Sequence, residues 1–239
     1  MNIKLYPHNQ ETYDKIQEQW KISNRVAVVQ ATGTGKTYLI LKCLYSNADE
    51  KKVILAPSTY ILEQTEREAG EVIPNTTLIT YSKLSYMTNE EIVNLDPKLI
   101  VLDEFHRCGA EQWGEGVQRL LNAFPNIKIL GTSATNIRFL DDNRDMAEEL
   151  FDGNIVVNLS LAEAIAKKIL PMPKYISALY TFNDEVENLK NKIENSKNSD
   201  ESKDELLKEI EVMKNKLEKS KGIPEILKKY LNKNSNDKF

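Results

Sequence analysis

The sequence predicts an α/β chain in which a mainly parallel central sheet is flanked by helices. Short apolar runs at residues 25–29, 52–56, 99–102 and 127–130 read as buried strands. Amphipathic stretches separate them, and no tight hairpin signal joins one run to the next, so the strands run parallel with helical crossovers. A glycine-rich segment directly after the first run places a phosphate-binding turn between strand and helix.

The elements follow in order. Tyr13, Ile16, Gln17 and Trp20 recur at helical spacing within residues 10–20, with the aromatic rings serving packing. The first strand then runs into Gln30, Ala31, Thr32, Gly33, Thr34, Gly35, Lys36 and Thr37. The glycines let backbone N–H groups turn inward around a phosphate chain. Lys36 supplies a cation to the β and γ phosphates, and the Thr37 hydroxyl is suited to Mg²⁺. Residues 38–45 continue as an apolar helix whose positive end faces the same anion. Gln30 stands where the usual loop pattern begins with glycine or alanine. Pro57 breaks the second strand, Gly70 stops a helix over residues 60–69, and residues 77–81 form a brief strand.

Leu99, Ile100, Val101 and Leu102 end in Asp103 and Glu104, an acidic pair where open α/β sheets bind ligands. Asp103 is expected to serve Mg²⁺ and Glu104 to orient and deprotonate an attacking water. The next strand, residues 127–130, gives way to small hydroxyl residues that alone read as a turn. Further on, residues 155–159 read as a late strand and residues 161–169 as a helix stopped by Pro171 and Pro173. Arg138 and Arg144 read as solvated surface residues.

From Asp184 the composition shifts to Lys, Glu and Asn. Val186, Leu189, Ile193, Leu206, Ile210, Met213 and Leu217 recur at steps of three and four, divided by a polar break at residues 196–200. An antiparallel helical hairpin is expected, a structural arm with balanced charge on its faces. Gly222 and Pro224 then open a short helix at residues 225–231, before a polar tail.

Composition bounds the rest. The 239 residues carry a formal charge of −4, which excludes affinity for nucleic acid through bulk positive charge but not grip through hydroxyls and amides. No apolar stretch approaches the roughly 18 residues needed to cross a bilayer, and the first residues lack a signal peptide, so a cytoplasmic location without membrane is expected. Cys43 and Cys108 have no metal-like spacing and read as reduced structural thiols.

Taken in order, Lys36 with Thr37, the run Asp103 to His106, and Ser133, Ala134, Thr135 resemble motifs I, II and III of the superfamily 2 helicases and translocases. The resemblance covers residues 5–173 and implies a RecA-like ATP-binding lobe there, an arm and linker helix over 174–231, and a tail over 232–239 leading to a second RecA-like lobe absent from this chain. It implies that Gln10 contacts adenine, although a helix-start polar residue is the other reading of Gln10. It implies that Pro57, Ser58, Thr80 and Tyr81 touch a nucleic-acid backbone, and that His106, Ser133 and Thr135 couple the γ-phosphate to that track. Asp-Glu-Phe-His is closer to the DExH proteins, including restriction-enzyme motors, which implies DNA ahead of RNA and restriction or modification subunits as partners. ATP and Mg²⁺ are the implied cofactors. The implied activity is ATP-driven movement on nucleic acid in the full-length protein, with this chain alone weak or inactive. A noncatalytic nucleotide-binding subunit and a P-loop kinase are the alternatives. Glu104 speaks against the first, and the lack of an arginine-rich lid against the second.

Overall fold

Strands that are apolar at nearly every position need cover on both faces, and the order of elements supplies it. Helix α1 (Pro7–Gln19) precedes β1 (Arg25–Gln30); α2 (Lys36–Ser46), β2 (Lys52–Ala56), α3 (Thr59–Ala69) and β3 (Thr76–Thr80) follow. Two short helices, α4 (Tyr81–Tyr86) and α5 (Asn89–Asn94), lead to β4 (Leu99–Asp103). A 3-10 turn over Phe105–Gly109 and α6 (Glu111–Ala123) lead to β5 (Lys128–Ser133). An antiparallel ribbon of β6 (Ile137–Arg138) and β7 (Arg144–Asp145) is followed by α7 (Met146–Phe151), β8 (Ile155–Leu159) and α8 (Leu161–Ala166). The structure is a computed structural model, and it describes residues 3–139, 142–173, 183–196 and 199–218.

The main sheet has six strands in the order β3-β2-β4-β5-β1-β8, every neighbouring pair parallel. Alternation along each strand divides the core in two. Val26, Val28, Ile54, Leu99, Val101 and Leu130 face α1, α2 and α3, packing on Ile16, Leu39, Ile40, Leu44 and Leu62. Ala27, Val29, Leu55, Ile100, Leu102 and Ile129 face the other way, onto Leu84, Val117, Leu120, Leu150 and Phe151. Burying each such aliphatic side chain is worth about 1.5–3 kcal/mol, so the two layers dominate stability. Gly131 continues the second face, and a Cβ there would lie 2.2 Å from the Phe151 ring. Only glycine leaves room for the tip of that ring against β5, and the ring meets Phe105 edge-on at 5.1 Å.

The ends of the helices are fixed by side chains the sequence provides. Ser58 caps α3, and Gly70 ends it in the left-handed conformation at φ 69°. Thr88 with Glu91 and Ser160 with Glu163 form reciprocal capping boxes on α5 and α8. Lys52 is buried at the start of β2, its ammonium donating to the carbonyls of Asn47, Ala48 and Glu50 at 2.8, 3.2 and 2.9 Å. It closes the carboxyl end of α2 with the charge that end favours.

Several expectations need correction. The ribbon β6-β7 is a hairpin where no tight hairpin signal stands in the sequence, held by its Ile137–Asp145 pairing and by Asn136 donating to Asp145 at 2.8 Å. The third strand stops at Thr80, and Tyr81 begins a helix instead of ending a strand. The helix expected over residues 161–169 ends at Ala166. Arg144 is a surface residue as expected, and it also pairs with Glu149 at 2.5 Å and donates to the Gly109 carbonyl at 3.0 Å.

The chain divides into two compact units, Met1–Met172 and Pro173–Phe239. In the second unit α9 (Asn183–Glu194) and α10 (Asp200–Glu218) form a helical hairpin, with Lys190 paired to Glu211 across it. Its seam is open: Leu189 and Met213 are 48% and 64% exposed, while Val186, Ile193, Leu206 and Ile210 are half-buried. The helix expected at 225–231 and the tail lie outside the described residues. Among the described residues no helix is long and apolar enough to cross a membrane.

Candidate nucleotide site

All strands of the main sheet are parallel, so their carboxyl ends share one edge. There β1 ends at Gln30, β4 at Asp103 and β5, lying between them, at Ser133. With neighbouring strands about 4.8 Å apart, the loop after β1 and the acids after β4 stand roughly 10 Å apart across β5. Alternation settles which way the acid points. Leu99 and Val101 face α2, so Asp103, two residues on, faces α2 as well, toward Lys36 at that helix's first turn.

The loop between β1 and α2 turns through Gly33 and Gly35, both at φ 88°, a conformation open to glycine. Thr32 and Gly33 are exposed, while Thr34 is buried and turns its hydroxyl inward to the Ala31 carbonyl at 2.8 Å. Thr37 lies half-buried in the first turn of α2. Lys36 donates to the Gln30 carbonyl at 3.0 Å, across the concave side of the loop. Burial pulls its ammonium below the usual lysine range, against the opposing pull of the Glu104 and Asp103 carboxylates. That mutual influence places the three charges in one electrostatic neighbourhood. Gln30 explains its own departure from the loop pattern: its side chain is buried and donates to the Thr12 hydroxyl of α1 at 3.1 Å, away from the phosphate side.

Asp103 is 8% exposed. Its Oδ1 accepts from the Thr132 hydroxyl at 2.7 Å and from the Glu104 amide at 3.0 Å, while Oδ2 takes no hydrogen bond from the described residues. Burial pushes the Asp103 carboxyl up to about 6, with the neighbouring Glu104 charge adding to the rise and Thr132 and Lys36 opposing it. Glu104 sits in the left-handed region at φ 53°, a strained place for a residue with a Cβ, and so turns the chain sharply off the strand. Burial pushes its carboxyl up, but His106 and Lys36 outweigh that and hold it below the ordinary glutamate range. His106 Nδ1 lies 2.8 Å from the Ser133 hydroxyl and 3.4 Å from Glu104, and Ser133 reaches Glu104 at 3.4 Å. Thr135 donates its amide to that same Ser133 hydroxyl at 3.2 Å. Thus Glu104, His106, Ser133 and Thr135 form one hydrogen-bonded group.

One aspartate, one glutamate and a threonine hydroxyl suit a small hard cation held chiefly by phosphates and water. Among the described residues no group of three or more His, Cys, Asp or Glu side chains is arranged as a metal cage, as such a cation requires none.

The other expected site residues differ in their placement. Gln10 is exposed and its amide donates to Asp14 one turn along α1, at 2.9 Å. Contacts to the loop come from the two residues before it: His8 Nε2 lies 2.9 Å from the Thr34 carbonyl, and the Asn9 amide donates to the same carbonyl at 2.8 Å. Asn9 belongs with Thr12 and Ile16 to the buried stripe of α1, a spacing legible in the sequence. Tyr81 is a correction. It is buried, stacks on Trp113 at 5.7 Å and donates its hydroxyl to the Asp103 carbonyl at 2.9 Å, so its ring presents nothing to a nucleic-acid backbone. Pro57 and Ser58 follow β2, and Thr80 ends β3, on the edge that also carries the loop and the acids. Ser58 and Thr80 accept from the Ile61 and Lys83 amides at 3.4 and 3.0 Å, which commits their hydroxyls to capping. Cys43 and Cys108 are buried, and burial pushes both thiols up to about 12, leaving them unreactive.

Two family descriptions match the chain: the res subunit of type III restriction enzymes over residues 2–91, and the DEAD/DEAH box helicases over residues 72–142. No curated protein matches. Among solved structures, the ATP-dependent Type ISP restriction-modification enzyme LlaBIII bound to DNA is similar over 69% of this chain and 16% of its own, at 18% identity and TM-score 0.52. The Hef helicase domain of Pyrococcus furiosus is similar over 78% of this chain and 44% of its own, at 16% identity and TM-score 0.51. The DEAH/RHA helicase HrpB of Escherichia coli is similar over 80% of this chain and 27% of its own, at 19% identity and TM-score 0.52. The chain thus spans less than half the length of each, and at these identities the likeness is one of fold. The two family matches and the shared fold liken this chain to the N-terminal RecA-like lobe of the superfamily 2 helicases and translocases.

Proposed function

We propose that this lobe is the ATP-binding half of a nucleic-acid-dependent ATPase that couples hydrolysis to movement on DNA. The observation that carries the proposal is the meeting of Lys36, Asp103 and Glu104 at one sheet edge, with Asp103 turned onto the α2 face. The loop amides and Lys36 hold the triphosphate, Lys36 leaving the Gln30 carbonyl to do so. Thr37 and the Oδ2 side of Asp103 would hold Mg²⁺, which supplies charge neutralisation on the phosphoryl oxygens. Glu104, kept ionised by His106 and Lys36, aligns the attacking water and takes its proton. His106, Ser133 and Thr135 carry the state of that carboxylate to the strand end that leads into β6. Pro57, Ser58 and Thr80 line the same edge and present the track-facing backbone, with their helices' amino ends toward phosphates. A second lobe bringing an arginine completes the catalytic group, and such an arginine is worth about 10³–10⁵ in turnover.

ATP hydrolysis by the protein that pairs this lobe with a second one, measured with single-stranded DNA, duplex DNA and RNA, tests the reading. DNA is expected to raise turnover above the nucleic-acid-free rate and above the rate with RNA. Equal turnover in all four conditions would overturn the motor assignment.

A further inference from the structure

We propose that Thr132 is a positioning residue for the candidate metal site, holding the Asp103 carboxylate in the one orientation that leaves Oδ2 free for an ion or its water. The inference rests on the reading of Asp103 given above and adds a residue that the motif pattern does not single out.

The sheet register brings the two together. Thr132 is the Cα partner of Asp103 across β5 and β4, and paired residues on parallel strands project from the same face. Thr132 is fully buried. Its hydroxyl has a single proton, and that proton goes to Asp103 Oδ1 at 2.7 Å, the length of a bond to an ionised acceptor. The Glu104 amide donates to the same oxygen at 3.0 Å. Two donors on Oδ1 stop the carboxylate from rotating and exchanging its oxygens, and they leave Oδ2 without a partner among the described residues. The main chain is held separately, by the Tyr81 hydroxyl on the Asp103 carbonyl at 2.9 Å. Thr132 therefore governs the side chain while Tyr81 governs the backbone. Removing the hydroxyl frees one torsion without moving the strand, because valine has the shape of threonine and an equal liking for a buried strand.

Binding of a fluorescent ATP analogue to the 239-residue chain, titrated with Mg²⁺, separates this role from a packing role. Thr132→Val is expected to raise the half-saturating Mg²⁺ concentration on the order of tenfold, the typical effect of losing a group that orients a metal ligand. Thr132→Ser, which keeps the hydroxyl, is expected to remain within about twofold of the native chain, and all variants to bind the analogue alike without Mg²⁺. In the Asp103→Asn background Thr132→Val should cost nothing further, since an amide nitrogen then stands where the ion-facing oxygen was, and Thr132 has no metal ligand left to orient. An unchanged Mg²⁺ titration in folded Thr132→Val, or a loss that persists in the Asp103→Asn background, would overturn the proposal. If the valine variant does not fold, Thr132→Ala set against Thr132→Ser gives the same comparison. A native chain whose analogue binding ignores Mg²⁺ altogether would instead overturn the functional reading from which the proposal starts.

Discussion

Glu104→Gln is expected to lower steady-state ATP turnover by roughly two to four orders of magnitude, the range ascribed to a positioned general base, while nucleotide affinity stays within a few-fold. Glutamine keeps the shape, the left-handed backbone and a hydrogen-bonding oxygen, but it cannot take a proton. The native carboxylate can, because His106 and Lys36 hold it below the ordinary glutamate range against the opposite effect of burial, so it stays ionised at neutral pH. It remains 26% exposed, enough to meet a water. Side-chain volume is unchanged, so the melting temperature should move little. The comparison is of hydrolysis and of nucleotide binding in the same two-lobed protein, and a variant that turns over at the native rate would remove Glu104 from the chemistry.

Asp103→Asn is expected to weaken Mg²⁺-dependent nucleotide binding and, in the absence of Mg²⁺ and nucleotide, to stabilise the chain at neutral pH. Burial raises the Asp103 carboxyl from 3.8 to about 6. The folded chain thus holds this proton more tightly than the unfolded chain does. Stability linked to the group is full below pH 3.8 and is lost as pH rises through about 6, where a charge must be carried in a buried place. The loss at pH 8 is up to about 3 kcal/mol, since a tenfold difference in proton affinity between the folded and unfolded chain is worth about 1.4 kcal/mol. Asparagine escapes it, and its amide oxygen still accepts from Thr132. The variant should therefore melt above the native chain at pH 8 and beside it at pH 4. Melting below the native chain at pH 8 would mean that the buried charge is already compensated.

The strands that carry the site are legible because each is a short apolar run ending in a residue with obvious chemistry. Residues 52–56 and 155–159 match β2 and β8, Gly33 and Gly35 fall in the turn between β1 and α2, and Lys36 opens α2. Helices α4, α5, α6 and α7 are not legible in the same way. Three of them are only six residues long, too short to show a period, and they owe their existence to caps such as Thr80, Thr88 and Asp145. Helix α6 carries Gly114 and Gly116, which weaken its helical propensity, and it is fixed instead by Val117, Leu120 and Leu121 packing into the core. Tyr81 invites a ligand role because its neighbours Thr80 and Ser82 form a recognisable short motif. Only the packing against Trp113 and Asp103 reveals a core residue. Thr132 is hidden for a similar reason: the apolar run stops at Leu130, and the three residues that carry β5 to the site have the composition of a turn. Hydrogen bonds between distant residues, such as Asn9 to Thr34 or His106 to Ser133, leave no mark on local composition.

The central claim is that the loop after β1 and the acids after β4 serve one metal-bound triphosphate. A crystal structure of the chain with Mg²⁺ and a non-hydrolysable ATP analogue tests it most directly. The expected result has Lys36 moved from the Gln30 carbonyl onto the β and γ phosphates, and one ion bound by Thr37 and the phosphates, directly or through water to Asp103. A triphosphate seated on the loop with its ion facing away from Asp103 and Glu104, or a nucleotide bound elsewhere on the lobe, would contradict the account.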